Sequence, residues 1–377
     1  MKIAAVRLYV LEAPEEHSGV DLILEQVPGL HRIQYRQTRV PNGQPLRQNF
    51  IEVETDEGLV GRCTTFMLPQ QAAILRNQVL GQDVRHRERL YQMLHKGERW
   101  LYQPPGWFGD FDNCLWDILG QAAGLPVFAL VGRVRERFPV YLTHHNGSLA
   151  DYLRHIELGH EMGINAYKFH SYKGGQADIP IFETVRREVG SDYALINDPV
   201  CSYDLREAIE VGHVMEELGF VWLEEPFHEQ KLNEYQALCA ELTMPVLATE
   251  MIMHDSGLST QWLIQGGTDR LRANARHGTT QVLKMAHFAE MYGANIEMNA
   301  QGGLAGLVHA HLGCCIDNTD YYEHFWMQAD ANRREGELWG LLNGPLIEDG
   351  HIAPPDGPGW GAVWDEARFH SRVVAEY

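Results

Sequence analysis

Positive charge is what this chain has least of relative to its size. Its 31 Lys and Arg stand against 51 Asp and Glu, a formal net charge of -20. A face that binds a nucleic-acid backbone needs clustered Lys and Arg, so the balance argues against a nucleic-acid partner. Any anionic small molecule must find its positive charge locally. Cysteine is sparse as well: the six Cys, at 63, 114, 201, 239, 314 and 315, are scattered with no C-x-x-C spacing, and the adjacent pair is badly placed to bridge. That usage reads as a reduced, cytoplasmic protein. No run approaches the roughly 18 apolar residues of a membrane span, which argues against a membrane partner. The N-terminal stretch Met1 to Val10 alternates like a first strand and lacks the apolar core of a secretory signal. A Gly-rich dinucleotide fingerprint is also missing.

What is present divides into two zones. A length of 377 residues with 45% hydrophobic residues supports a sizeable core. About 150 residues per domain gives two or three units, although a TIM barrel absorbs about 250 residues alone. Strand-like stretches occur at Ile3 to Leu11 and Asn49 to Glu54, with Asp56-Glu57-Gly58 supplying a hairpin turn. Between them Ala13 to Gln44 is long and polar, too long for an ordinary connection, and such segments are usually functional or disordered. Helical patterns then run from about Pro69 to Gly132, including Phe111 to Gly120. The first zone is α+β.

From Pro139 onward strand and helix alternate, the signature of parallel βαβ units. Eight short apolar runs are expected as barrel strands: Val140 to Thr143, Ala166 to His170, Ala194 to Asn197, Val221 to Leu223, Val246 to Thr249, Leu271 to Asn274, Asn295 to Asn299 and Tyr321 to Glu323. The expected class is therefore α/β, a modified TIM (β/α) barrel over residues 134–343 behind an N-terminal α+β capping domain over residues 1–133. The Gly- and Pro-rich residues 344–377 are expected to fold back on the capping domain. An open doubly wound sheet fits less well.

Three acids recur in phase along the second zone. Asp198, Glu224 and Glu250 each follow the last by 26 residues, about one βα unit, and each closes an apolar run. In a parallel barrel those strand ends share one mouth. Carboxylates gathered there repel one another unless protons or a metal neutralise them. Hard oxygen donors without Cys or His favour magnesium, or manganese, over zinc. The alternative is that such residues merely cap the following helices. In Ala166-Tyr167-Lys168-Phe169-His170, the period of 2 puts Lys168 and His170 on one side of a strand, pointing into the same mouth. A cation and a Lys close by would depress protonation of His170 and leave it able to accept a proton near neutral pH. Otherwise Lys168 pairs with a carboxylate and His170 is a hydrogen-bonded core residue.

These residues make the chain recognisable. It resembles the enolase superfamily, and more closely its mandelate racemase-like subgroup, from the Met-Lys-Ile start through Asn113-Cys114-Leu115-Trp116-Asp117 and Gly124-Leu125-Pro126 to Glu323. The resemblance implies a capping domain over a modified TIM barrel, magnesium on Asp198, Glu224 and Glu250, and removal of the proton α to a substrate carboxylate. It implies that Glu323 hydrogen-bonds that carboxylate, and that His170 stands where the usual Lys-x-Lys motif has its base, leaving Lys168 to meet the carboxylate. Members commonly form homo-oligomers, and their capping loops close over the barrel, which points to Ala13 to Gln44, with His17 and His31, as a specificity lid.

Departures from the pattern carry more information. Many members of the subgroup place an Asp after the sixth strand and a His after the seventh, a dyad that works the opposite face of the substrate. Here those positions read as Asn274 and Asn299, and neither amide exchanges a proton usefully near neutral pH. Racemisation needs groups on both faces; syn elimination of water from a 2,3-dihydroxy acid needs one. Dehydration of a sugar acid, aldonic or aldaric, to a 2-keto-3-deoxy acid is therefore expected, with His170 as base and then acid. An epimerase, racemase or cycloisomerase with a loop residue as second acid is one alternative, and His254 or Asp255 would supply it. A magnesium-containing binding protein without turnover is another. His144 and His145 close the first barrel strand, and one of them is expected to face the substrate. Arg272 and Arg276 are placed either to hold a second carboxylate or to pair with the acidic cluster. Trp107 and Phe108 look like an aromatic loop of the capping domain or its packing.

Overall fold

A computed structural model of the protein describes residues 1–26, 33–171 and 173–377, with side chains described outside residues 14–44. Three strands open the chain: β1 (Ile3–Gln26), β2 (Ile33–Thr55) and β3 (Val60–Thr65). They pair antiparallel, with Ile51 opposite Leu8 on one side and Cys63 on the other. The turn between β2 and β3 closes by a 3.0 Å bond from Gly58 N to Thr55 O. Gly58 takes φ +81 there, where a side chain would strain the backbone.

The polar segment expected as a loop is, where described, a continuation of the β1–β2 hairpin. Register runs from Ser18 opposite Pro41 to Gln26 opposite Ile33. Val20, Leu22, Ile23 and Leu24 on one arm, and Ile33, Tyr35 and Val40 on the other, supply apolar and β-forming residues that outweigh the polar average suggesting a loop. His31 lies outside the described residues; His17 is described in backbone only.

Helices Pro69–Val79, Arg87–Leu101 and Gly109–Ala123 follow. Their apolar faces bury Leu75, Leu90, Phe111, Cys114 and Leu115, with Phe108 beside them, against Leu8, Ile51 and Val53 of the sheet. The third helix also joins the two zones. Asp112 accepts from Thr280 N and Oγ1 at 2.7 and 2.6 Å, while Asn113 accepts from Thr279 N and donates to Ala275 O at 2.9 and 2.7 Å. A Cβ at Gly109 would come within 2.1 Å of the His277 carbonyl carbon, so only glycine lets these backbones meet. Further along the helix, Asp117 accepts Trp360 N at 3.0 Å.

The barrel comprises β4 (Phe138–Thr143), β5 (Ala166–His170), β6 (Ala194–Asp198), β7 (Leu223–Glu224), β8 (Val246–Ala248), β9 (Arg270–Ala273), β10 (Asn295–Met298) and β11 (Tyr322–His324). Neighbours are parallel in chain order, and β11 closes onto β4 with Glu323 opposite Tyr141. All eight expected strands are therefore present, displaced at their ends by a residue or two. Tyr141, Ala166, Ile196, Trp222 and Leu247 fill the floor of the barrel. Side chains alternate along each strand, so the residue two positions after a floor residue stands at the mouth: Lys168 after Ala166, Asp198 after Ile196, Glu224 after Trp222.

Beyond the barrel β12 (His351–Ile352) pairs with β4, and β13 (Val373–Glu376) adds to the free edge of β1. Glu366 pairs with Arg62 at 3.1 Å. The C-terminal segment thus reaches the first sheet. All six cysteines are free thiols. No helix among the described residues is long and apolar enough to cross a membrane.

Candidate active site

The barrel mouth gathers four acids around two buried cations. Lys168 Nζ lies 3.3 Å from Asp198, 3.1 Å from Glu224 and 3.0 Å from Glu323. Arg272 reaches Glu224 at 2.9 Å, Glu250 at 3.0 Å and Glu323 at 2.5 Å. Both cations are only 1% exposed. Burial alone would strip the Lys168 proton, but Glu224 and Glu323 outweigh it and hold the ammonium well above its ordinary range. The carboxylates around Lys168, rather than the neighbouring His170, govern its charge. Asp198 and Glu323 answer in kind: burial pushes each up, Lys168 and its neighbours pull harder, and both come to rest at about 2. Glu224 goes the other way, raised by burial in spite of Arg272 and Lys168.

Arg272 is accordingly a member of the acid cluster rather than a clamp for a distant carboxylate. Its Nη1 is buried without a hydrogen-bond partner among the described residues, which leaves one donor for a ligand oxygen. Trp222, two residues before Glu224 and hence on the same side of its strand, donates to Glu224 Oε2 at 3.1 Å.

His170 sits at the edge of the cluster. Its Nδ1 donates to His144 O at 2.7 Å and lies 3.0 Å from Thr143 Oγ1. Thr143 Oγ1 itself donates to Lys168 O at 3.0 Å. The His144 carbonyl holds a proton on Nδ1 in either charge state of the ring, which leaves Nε2 as the nitrogen able to exchange a proton. Nε2 looks toward Asp198 Oδ2 at 3.3 Å.

Across the mouth, Asn274 follows β9 and Asn299 follows β10. Asn274 Nδ2 donates to Asn299 Oδ1, and Asn299 Nδ2 donates to Glu250 Oε1 at 3.1 Å. The two amides, expected from the sequence in place of a dyad, therefore end on the third acid. Glu229, which sequence reasoning missed, accepts from the backbone N–H of Glu250 and of Met251, both at 2.8 Å, and clamps the turn that carries Glu250. A cue existed in the local acid density, Glu224, Glu225 and Glu229 within six residues. The chain also enters the left-handed region at Val200, Glu225 and Thr249, with φ of 45, 27 and 82, each within two residues of one of the phased acids. Such non-glycine strain costs roughly 1 to 3 kcal/mol per residue and concentrates at functional sites.

The other expected contacts are distributed differently. His144 donates from Nδ1 toward Phe325 O at 3.3 Å, and both His144 and His145 pack against Phe325, in an aromatic group with His155. Asp255 caps the helix Ser256–Ile264 through Leu258 N. His254 instead lines a cavity of about 700 Å³ between the first zone and the barrel, together with Phe66, Trp107, Glu250, Arg276 and His277. Phe108 is buried in the core of the first zone, and Trp107 packs on it edge-on while lining the cavity.

The donor set suits a hard divalent ion, although not in the simple convergence expected. Among the described residues no three acidic or histidine side chains close around one point, because Lys168 and Arg272 stand between them. Charge decides the fit: the four carboxylates and two cations leave two negative charges. Beside them Glu225 is held well above its ordinary range by burial and by Asp198, Glu250, Glu229 and Glu224, the mark of an uncompensated excess of negative charge. A divalent cation removes that excess.

Residues 151–368 match the family described as enolase C-terminal domain-like. The chain belongs to the enolase superfamily. It is 24% identical over 375 residues to a D-galactonate dehydratase family member of Marinomonas sp. (strain MWYL1), covering 87% of this chain and 90% of the relative. It is 27% identical over 287 residues to the L-talarate/galactarate dehydratase of Salmonella typhimurium (strain LT2), covering 70% and 69%. Its fold superposes on a D-glucarate dehydratase from Agrobacterium tumefaciens complexed with magnesium, with a TM-score of 0.84 over the whole of both chains at 24% identity. Within the superfamily the chain has the mandelate racemase-like layout of an antiparallel first sheet ahead of a closed eight-stranded barrel.

Proposed function

We propose that this chain is a magnesium-dependent hydro-lyase acting on a sugar acid. It takes the proton α to the carboxylate, expels the β-hydroxyl as water and leaves a 2-keto-3-deoxy acid. The observation that carries this reading is the asymmetry of the mouth. One side holds His170, its Nδ1 tied to the His144 carbonyl at 2.7 Å, and across the mouth stand the amides of Asn274 and Asn299, bonded to each other. The relatives named as a D-galactonate dehydratase family member and an L-talarate/galactarate dehydratase support the same chemistry.

In this reading His170 Nε2 accepts the α-proton. Asp198 Oδ2 lies 3.3 Å from that nitrogen. The same Nε2 then returns the proton to the departing β-hydroxyl as its C–O bond breaks, so one group serves both steps of a syn elimination. The enol released tautomerises to the 2-keto acid. Lys168, fixed by Glu224 and Glu323, and the spare Nη1 of Arg272 orient the substrate carboxylate. Asp198, Glu224 and Glu250 would hold magnesium, which when bound offsets the negative charge that develops on that carboxylate; electrostatic stabilisation of this kind typically lowers the barrier more than any other single effect. Purified enzyme with magnesium is expected to release a 2-keto acid from at least one member of a panel of aldonic and aldaric acids. If none reacts, dehydration is the wrong reading.

A further inference from the structure

The cavity above Glu250 holds a guanidinium that the elimination chemistry does not use. Arg276 follows β9 by three residues, in a short turn capped by Asn274, whose Oδ1 accepts Arg276 N at 2.8 Å. Its Nε donates to His277 Nε2 at 3.2 Å. Among the described residues it makes no ion pair, unlike Arg272 and Arg270, which are each shared by two or more carboxylates. It is half-buried and lines the cavity with Glu250 at one side and Trp107, Pro104, Pro105 and Phe66 on the roof.

The charged and titratable neighbours leave its charge available. Glu250 is engaged by Arg272 and Asn299. Asp110 is pushed up by burial to about 7, so near neutral pH it is only partly an anion. His277 is driven down to about 3 by burial, with Arg276 and His254 adding to it, and stays neutral with its Nε2 as acceptor. A half-buried cation with a rigid fork of donors and no acidic partner suits a carboxylate bound bidentately.

We infer that Arg276 binds the second carboxylate of a dicarboxylic sugar acid, so that the substrate class is aldaric rather than aldonic. This rests on the sugar-acid reading above and narrows it. One carboxylate of the substrate meets Lys168 and Arg272 in the barrel mouth, and the other, at the far end of the carbon chain, meets Arg276 across the cavity. The assignment accounts for two arginines on neighbouring turns having different surroundings, Arg272 ion-paired to three carboxylates and Arg276 to none among the described residues.

The test compares acids that differ only at the terminal carbon, galactarate against galactonate and glucarate against gluconate. Wild type should prefer the diacid of a pair in kcat/KM. Arg276→Gln should lower the diacid value about tenfold to hundredfold more than the monoacid value, and Arg276→Lys should restore part of the difference. Thermal unfolding of R276Q checks that the variant folds. Binding separates this inference from the dehydration reading. Calorimetric titration of His170→Asn with magnesium should show tighter binding of the diacid, and that advantage should vanish in H170N/R276Q. If no acid is turned over but the diacid preference in binding depends on Arg276, dehydration falls and the subsite stands. Equal losses on both classes in R276Q, a wild-type preference for monoacids, or no diacid advantage in binding overturns the assignment.

Discussion

Asn299 donates to Glu250 at 3.1 Å across the barrel mouth. The amide cannot shuttle a proton, but it fixes the rotamer of a proposed metal ligand. Groups that orient ligands from behind typically change affinity 10- to 100-fold when lost. Asn299→Ala should weaken magnesium binding by about that factor. Isothermal titration with the metal alone measures it, and unchanged affinity removes Asn299 from the positioning role.

His170→Asn should reduce turnover by at least about 10³-fold while magnesium affinity stays within a few fold, because the imidazole is the proposed proton carrier and not a ligand. Deuterium wash-in at the α-carbon, followed by proton NMR, reads the proton-transfer step apart from water loss. Persistent wash-in in H170N would move the base to another residue. In Asn274→Asp/Asn299→His, wash-in with scrambled configuration is expected, since a second acid-base face is then present.

Arg272→Met removes a cation that Glu224, Glu250 and Glu323 share in a site 1% exposed. Breaking a buried pair from one side costs about 3 to 5 kcal/mol. Urea denaturation without metal should show a loss of that order, partly recovered by saturating magnesium. A variant as stable as wild type without magnesium would contradict the charge balance described for the mouth.

Chelation provides a complementary prediction. A ligand present at about 100 times its Kd stabilises the folded state by about 2.7 kcal/mol. The melting temperature should fall on treatment with EDTA and return with magnesium or manganese more fully than with zinc, because the proposed donors are all oxygen.

Asp178 gives a pH-dependent prediction away from the barrel mouth. It is buried, accepts the Tyr203 hydroxyl at 2.9 Å, and burial lifts its carboxyl from 3.8 to about 7. The folded state thus holds this proton more tightly than the unfolded chain. The associated stability is fully present below the ordinary value of 3.8 and is lost as pH rises through about 7. Asp178→Asn keeps an acceptor for Tyr203 and cannot ionise. Relative to wild type, D178N should gain stability as pH rises from about 4 to about 7, read as the difference between the two melting curves; a flat difference would refute the shift.

The barrel was legible because its signal is local. Each strand buried on both faces leaves a short apolar run, and period 2 then places Lys168 with His170, and Trp222 with Glu224, without further information. The first arm was not legible in the same way. Residues 14–26 and 33–44 mix polar residues with apolar ones such as Leu22 and Ile23, and what pairs them as strands is register against each other, a nonlocal property. The two arginines illustrate the limit within the site. Arg272 and Arg276 are four residues apart and chemically identical, yet the first is inside the acid cluster and the second faces a cavity. That difference comes from the strand ending at Ala273 and the chain turning through Asn274, which the spacing of residue types does not reveal. His144 and His145 were placed at the right strand end, but Phe325 across the β11–β4 closure, which they pack against, is remote in sequence.

The seam between Gly109 to Asn113 and Gly278 to Thr280 has a consequence for how specificity can change. It pins the turn that bears Arg276 to the helix of the first zone, so the height of that guanidinium above the mouth is inherited from a part of the chain that holds none of the phased acids. Grafting the first 133 residues of a relative onto this barrel should therefore alter which chain length of acid fits, with every barrel residue unchanged. Reach and reaction are thus separable traits, set by different halves of one polypeptide.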